Sequence, residues 1–175
     1  MPDNLPNMTT CQTLTIDYDD EMKNTRKLLE RVPIDDAHRS YQPHPKSMSL
    51  DRLATHVAEL PSWAKVALES EVFELPPDFR PRIAASTAEL LEIFDKSVED
   101  GRARLATATD AEMQKSWAFK YQGVVAYTDV RTKVIRSFLN HLVHHRAQLG
   151  VYLRLNEIPV PGMYGPSADD GWPPK

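Results

Sequence analysis

The chain has 175 residues, a formal net charge of −4, 41% hydrophobic and 26% charged residues, and one cysteine, Cys11. A chain of this length is expected to fold as one domain, residues 1–175, with a core that needs no covalent cross-links. The acidic balance argues against a general nucleic-acid partner, which needs Lys and Arg to neutralise phosphates, and a single cysteine excludes an internal disulfide and a multi-cysteine zinc motif.

The start of the chain and its hydropathy predict a soluble protein of the cytoplasm. The segment "MPDNLPNMTTCQT" has neither the basic region nor the apolar region of a secretory signal. No apolar run approaches the roughly 18 residues of a membrane span, so no membrane partner is expected. Residues 1–13 are predicted to be a flexible N-terminus. Cys11 lies within them and is predicted to be unreactive, because single cysteines are more often inert than nucleophilic.

The first two helices are predicted from apolar residues repeating every 3.6 positions. One covers about 15–32 and ends at Pro33. The other covers about 49–69 and follows Ser49 as its cap. Pro61 lies inside this second segment and should kink it, because proline removes one backbone hydrogen bond of the helix.

Two further helices follow in the second half of the chain. The segment 87–107 opens with Ser86 and Glu89 in a capping-box pattern. The segment 128–155 follows Thr128 as its candidate cap. Between the two, "TDAEMQ" predicts a short helical turn with its own capping box of the same type.

The remaining segments are predicted as connections. Segments 33–48 and 71–82 are rich in proline and polar residues, which indicates ordered loops. Segment 117–127 alternates in part and could be extended, with a short hairpin around Gln122–Gly123. Residues 156–175 carry several prolines and are predicted to form a non-helical C-terminal tail.

Four amphipathic helices without a convincing sheet predict an all-α fold, a four-helix bundle. The connections 33–48 and 108–127 are long enough to cross the bundle, so an up-down-up-down order is not required.

Three of the six histidines lie close together in "FLNHLVHHRAQLGVYLR", residues 138–154. His141 and His145 are four residues apart, about 40° around the helix, so both imidazoles can reach one metal ion. The alternative is a pair of hydrogen-bonded core histidines. His144 points about 60° to the other side and is predicted to face solvent.

His56 favours the metal interpretation, because it shares the apolar stripe of the second helix with Leu53 and Leu60. Burying an imidazole without partners costs free energy, so three inward histidines on two helices suggest a common ligand. Three imidazoles leave a position open for water or a reactant, which is typical of catalytic metal sites. Glu59 could accept a hydrogen bond from a ligand ring or be an exposed partner for a basic residue.

Other charged residues have weaker functional signals. Arg146 directly follows the histidine pair and could be a surface charge or an anchor for an anionic cofactor. His38 and His44 lie in a loop and are predicted to be surface side chains. No cluster of carboxylates suggests the two-metal centre of a nuclease.

The combined motifs resemble the DinB/YfiT-like family of metal-dependent proteins. The likeness rests on "MSLDRLATHVAELPSW", the "HxxxHRxQL" pattern of the last helix, and the "PVPGxYGPSAD" pattern of the tail. It implies a four-helix bundle with crossed connections, often a homodimer, that holds a divalent metal ion in a cleft open to water. The ligands it implies are His56, His141 and His145, and the metal is commonly nickel or zinc, with iron also possible. Ala147 departs from the family, where many relatives have glycine.

The resemblance implies two functional hypotheses. In the first, the protein is an enzyme that acts on a small molecule, either a hydrolase or a transferase that moves a low-molecular-weight thiol onto an electrophilic substrate. Arg146 and the tail would then hold the carboxylates of the thiol. In the second, the protein is a non-catalytic, metal-stabilised binding module of a stress response.

Overall fold

The structure, a computed structural model, describes residues 8–171. Helix α1 spans Thr10–Leu29, so the chain is already helical in the last part of the predicted flexible segment 1–13, whose residues 1–7 lie outside the described part. The helix begins early because Thr9 and Gln12 form a reciprocal capping box. The predicted start at residue 15 was therefore wrong by five positions.

Pro61 interrupts the second helical segment as predicted. Helix α2 spans Leu50–Glu59, a 3₁₀ turn covers Leu60–Ser62, and helix α3 spans Trp63–Glu69. The tighter turn accommodates the proline, whose nitrogen cannot donate the hydrogen bond that an α-helix needs at this position.

The other helices agree closely with their sequence signals. Helix α4 spans Thr87–Thr107 and is capped by Ser86, whose side chain accepts from the Glu89 amide. Helix α5 spans Asp110–Met113. Helix α6 spans Arg131–Leu155 and starts three residues later than predicted, because those residues belong to a strand.

A small mixed sheet forms the second part of the fold. Its strands are β1 (Val72–Leu75), β2 (Ser116–Tyr121) and β3 (Val124–Val130), in the order β1-β2-β3. Strands β2 and β3 form the predicted antiparallel hairpin. Gln122 and Gly123 turn the chain with φ of 49° and 77°, the left-handed values that a two-residue hairpin loop requires.

The prediction of an all-α four-helix bundle is therefore wrong. The hairpin pairs with β1 in parallel, with Val72 opposite Ala118, and this makes the fold a mixed one. The prolines of segment 71–82 suggested a loop throughout, but the first of them, Pro76, comes directly after β1. The strand is short and mostly exposed, so its residues show none of the alternation that identifies a half-buried strand.

The core lies between the helices, where α1, α4, α6 and the α2–α3 segment pack against one another. At its centre the buried Tyr18 hydroxyl lies 3.2 Å from the carbonyl oxygens of Pro61 and Val98, to which it can donate. Gly101 packs against the same contact, since a Cβ there would lie 2.3 Å from the Pro61 oxygen. The proline turn is thus held from two helices. None of the helices within residues 8–171 is both long and apolar enough to cross a bilayer.

Candidate metal centre

Two helices bring the three predicted ligands together. His56 lies on α2, and His141 and His145 lie one turn apart on α6. The two helices are fixed by fully buried neighbours, among them Leu53 and Leu142, while the three imidazoles remain half-buried at the edge of the core. The rings therefore sit where the core ends and solvent begins.

The imidazole nitrogens converge on one point. One nitrogen from each ring lies within 4.8 Å of the other two. The Nε2 atoms of His56 and His141 are 3.1 Å apart. The ring centroid of His145 lies 4.9 Å from that of His56 and 4.4 Å from that of His141. The predicted cluster of His56, His141 and His145 is present in the fold.

The donor set fits a divalent transition metal. With metal–nitrogen bonds of about 2.0–2.1 Å, two imidazole nitrogens in a tetrahedral site stand roughly 3.3 Å apart. The separation of the His56 and His141 nitrogens is already close to that value, and a nitrogen of His145 lies within 4.8 Å of each. Neutral nitrogen ligands suit zinc, nickel, iron and copper alike, so the geometry does not select among them.

A hydrogen bond fixes which nitrogen of His145 is available. Its Nδ1 lies 2.7 Å from the Oε1 atom of Gln148. An amide oxygen can only accept, so Nδ1 carries the proton and donates, and Nε2 keeps its lone pair for a metal. Gln148 therefore has the orienting role that the sequence had suggested for Glu59.

The electrostatics keep the cluster uncharged. Burial, followed by His145, Arg52 and His141, lowers the pKa of His56 to about 4. Burial and then the neighbouring His145 and His144 lower the pKa of His141. Burial is also the largest cause for His145, whose pKa is lowered although Gln148 opposes the shift. Neutral imidazoles are the form that binds metal, so the ligands need no deprotonation at pH 7.

An aromatic wall closes one side of the cluster. The Trp63 ring stacks on His141, with centroids 5.7 Å apart, and meets His56 edge-on at 5.8 Å. Phe138 supports the indole from behind, edge-on at 5.1 Å. Because Trp63 is the first residue of α3, the turn at Pro61 sets the position of its indole ring.

The other histidines lie outside the cluster. His144 is exposed, as predicted, with its ring 5.0 Å from that of His145. His38 pairs with Asp35, and the exposed His44 accepts from a nearby backbone amide. Glu59 is half-buried, and burial raises the pKa of its carboxyl group.

Arg146 lies one residue beyond His145 but points elsewhere, because a helix rotates by about 100° per residue. Its guanidinium is buried, 3% exposed, and forms an ion pair of 2.7 Å with Glu21. It also donates to the Thr25 hydroxyl at 3.1 Å and to the Tyr164 hydroxyl at 2.5 Å. The predicted cofactor-binding role of Arg146 stays a prediction, and the observed contacts tie α1, α6 and the tail together.

The basic residue near the histidines is Arg52, which no motif in the sequence singled out. It lies one turn before His56 on α2, and its charge lowers the pKa values of both His56 and His145. Its Nη1 atom is buried and has no hydrogen-bond partner within residues 8–171. The spacing of four residues from His56 was the signal that could have identified it.

Two cavities of the described part of the chain lie away from this cluster. One, of about 400 Å³, lies between α1 and α6 and is lined by residues such as Asp20 and Asn140. Another of about 400 Å³ lies where β2 meets the start of α6, beside Ser116 and Arg131. Within residues 8–171, no histidine lines either cavity.

Comparison with known proteins finds a likeness to the DinB family over most of the chain, in sequence and in fold. A family model described as the DinB family matches residues 8–174. A DinB-like protein from Bacillus cereus superposes with a TM-score of 0.67 at 19% identity, covering 86% of this chain and 95% of that one. A DinB-like protein from Bacillus subtilis gives a TM-score of 0.62 at 18% identity, covering 84% and 95%. At these identities the structural likeness shows a shared fold. None of the curated proteins matches the chain.

Proposed function

The chain belongs to the DinB family, and from that premise we propose that it is a metal-dependent enzyme whose ion is held by His56, His141 and His145. The observation that supports this most strongly is the convergence of three imidazole nitrogens, from two helices, within 4.8 Å of one another. A structural metal site usually closes all four positions with protein ligands, and this cluster offers three. Nickel and zinc are the metals we expect, with iron as a further candidate.

The residues of the chain prepare the site in three ways. Burial keeps the imidazoles neutral, and Gln148 orients His145. Trp63 shields one side of the cluster from water. A divalent ion held there by the three histidines would supply Lewis acidity, which would lower the pKa of a water or thiol bound to it.

The finer part of the proposal is the reaction, transfer of a low-molecular-weight thiol onto an electrophilic small molecule. The family resemblance supports it. A thiolate sulfur would form a bond to an electrophilic carbon, the bond from that carbon to the leaving group would break, and the thiol proton would pass to solvent. The half-buried histidines, with the Trp63 ring beside them, offer a surface for such a substrate.

A non-catalytic role is the second candidate. The ligands come from α2 and α6, so an ion would clamp two helices that are far apart in the chain. In that case the ion would raise the melting temperature through its binding free energy, without any turnover.

Elemental analysis tests the metal site. Wild-type protein, loaded with nickel or zinc and freed of excess ion, should retain about one ion per chain. The variant His56→Ala should retain almost none. His38→Ala, in the loop that precedes α2, is the matched control and should behave as the wild type. Equal metal content in wild type and His56→Ala would refute the assigned ligands.

A rate comparison separates the two functions. The metal-loaded protein is incubated with N-acetylcysteine and a chloronitrobenzene, and the loss of thiol is followed for wild type and His141→Ala. Faster loss with the wild type supports S-transfer. Equal rates, together with a lower melting temperature on chelation, support the metal-stabilised module instead. The homodimer that the resemblance implies is a separate proposal, which sedimentation velocity tests.

A further inference from the structure

The guanidinium of Arg52 stands beside the histidine cluster as an unpaired charge. The residue lies on the same face of α2 as His56, one turn earlier. Its positive charge lowers the pKa of His145 on α6 as well as the pKa of His56. The Nη1 atom is shielded from solvent and has no partner within the described chain.

The carboxylates closest in sequence do not satisfy this charge. Asp51 pairs with Arg39 at 3.3 Å and accepts from the Ser49 hydroxyl at 2.5 Å. Glu59 acts on Arg52 through space but forms no ion pair with it among residues 8–171. Burying a charged donor without a hydrogen-bond partner costs free energy. The Arg52 guanidinium therefore favours binding of a ligand that provides a hydrogen-bond acceptor.

The contrast with Arg146 supports this assignment. The donors of Arg146 reach Glu21, Thr25 and Tyr164, all within the chain. Among residues 8–171, Arg52 has no comparable side-chain contacts, and its charge lowers the pKa values of His56 and His145.

We propose that Arg52 binds the carboxylate of the small molecule that occupies the open position of the histidine site, so that the site selects carboxylate-bearing ligands over neutral ones. This inference rests on the proposed metal site. A planar guanidinium holds a carboxylate through two parallel hydrogen bonds. Arg52 and His56 are separated by one helical turn, about 6 Å. The ligand that fits both should therefore carry its carboxylate only a few bonds away from the atom that binds the metal.

Two thiols of similar size test the proposal on nickel-loaded protein. One is 3-mercaptopropionate, which carries a carboxylate, and the other is 2-mercaptoethanol, which does not. Binding of each is followed by the sulfur-to-nickel charge-transfer absorption, so the readout is independent of turnover. We expect the wild type to bind 3-mercaptopropionate at least about tenfold more tightly, the effect of one charge-assisted contact.

Two variants assign the preference to Arg52. Arg52→Met should bind nickel and 2-mercaptoethanol as the wild type does and lose the preference for 3-mercaptopropionate, and Arg52→Lys should restore part of it. Arg136→Met is the control for net charge. Arg136 pairs with Asp17 on the α1 side of α6, so this variant should keep the wild-type preference.

Each outcome has one meaning. A wild type that binds nickel but shows no preference, or an Arg52→Met variant that keeps it, overturns the role of Arg52 and leaves the metal site intact. A wild type that binds no metal overturns both proposals. A nickel content in Arg52→Met equal to that of the wild type verifies that the variant is folded.

Discussion

The substitution Gly101→Ala should destabilise the protein, although alanine is the better helix former. Gly101 lies inside α4. An added Cβ would stand 2.3 Å from the Pro61 carbonyl oxygen and 2.4 Å from the Tyr18 hydroxyl oxygen, where contacts below 3.0 Å essentially never occur. To reach that limit, the Pro61 oxygen would have to move by about 0.7 Å and the Tyr18 oxygen by about 0.6 Å. The Pro61 oxygen is backbone at the helix turn, and Tyr18 is fully buried.

The magnitude follows from two unfavourable effects and one favourable effect. Overpacking of a tight core costs about 1–3 kcal/mol, and the helix propensity of alanine returns up to about 1 kcal/mol. The hydrogen bond of Tyr18 would also weaken, which costs about another 1 kcal/mol. We expect a net loss of about 2 kcal/mol in the free energy of unfolding, and a melting temperature lower by about 4–8 °C.

Urea unfolding measured by circular dichroism tests this, with Gly150→Ala as the matched control. Gly150 is also inside a helix, but a Cβ there meets only the Val160 side chain at 3.8 Å, an ordinary contact. That variant should gain stability, up to about 1 kcal/mol. If Gly101→Ala is as stable as the wild type, or if both variants shift in the same direction, the packing argument at the proline turn is wrong.

Three further predictions concern other titratable or charged groups. Burial and the neighbouring Asp110 raise the pKa of the Cys11 thiol to about 11, so iodoacetamide at pH 8 should alkylate the native protein far more slowly than the urea-unfolded one; equal rates would contradict this. Arg146→Met should cost about 3 kcal/mol in urea unfolding, because Glu21 loses its cation, and adding Glu21→Gln should recover part of the loss. In metal-free protein, the free energy of unfolding should fall as the pH is lowered from about 6.5 to about 4. In this range His56 takes up a proton in the unfolded chain, near its ordinary pKa, whereas folded His56 takes one up only near pH 4. His56→Gln should flatten that part of the pH profile.

The sequence by itself determined the elements and the side-chain positions that depend on local spacing. Capping boxes act over three residues, so the start of α4 and the turn at α5 were readable. The left-handed loop of the hairpin is also local. The convergence of His141 and His145 follows from helical periodicity alone, and the apolar stripe of α2 indicated that His56 would face them.

Only the tertiary structure decided the features that depend on distant parts of the chain. Strand β1 forms because it pairs with β2, with Val72 opposite Ala118. An exposed strand of four residues has no alternation of apolar and polar residues that would identify it in the sequence. The two arginines show the same limit. Arg146 and Arg52 both lie near a histidine of the cluster. Arg146 has a carboxylate partner from α1, Glu21, whereas the Nη1 atom of Arg52 has no partner within residues 8–171. Periodicity tells which side of a helix a residue faces, whereas the neighbour found there is set by how the elements pack.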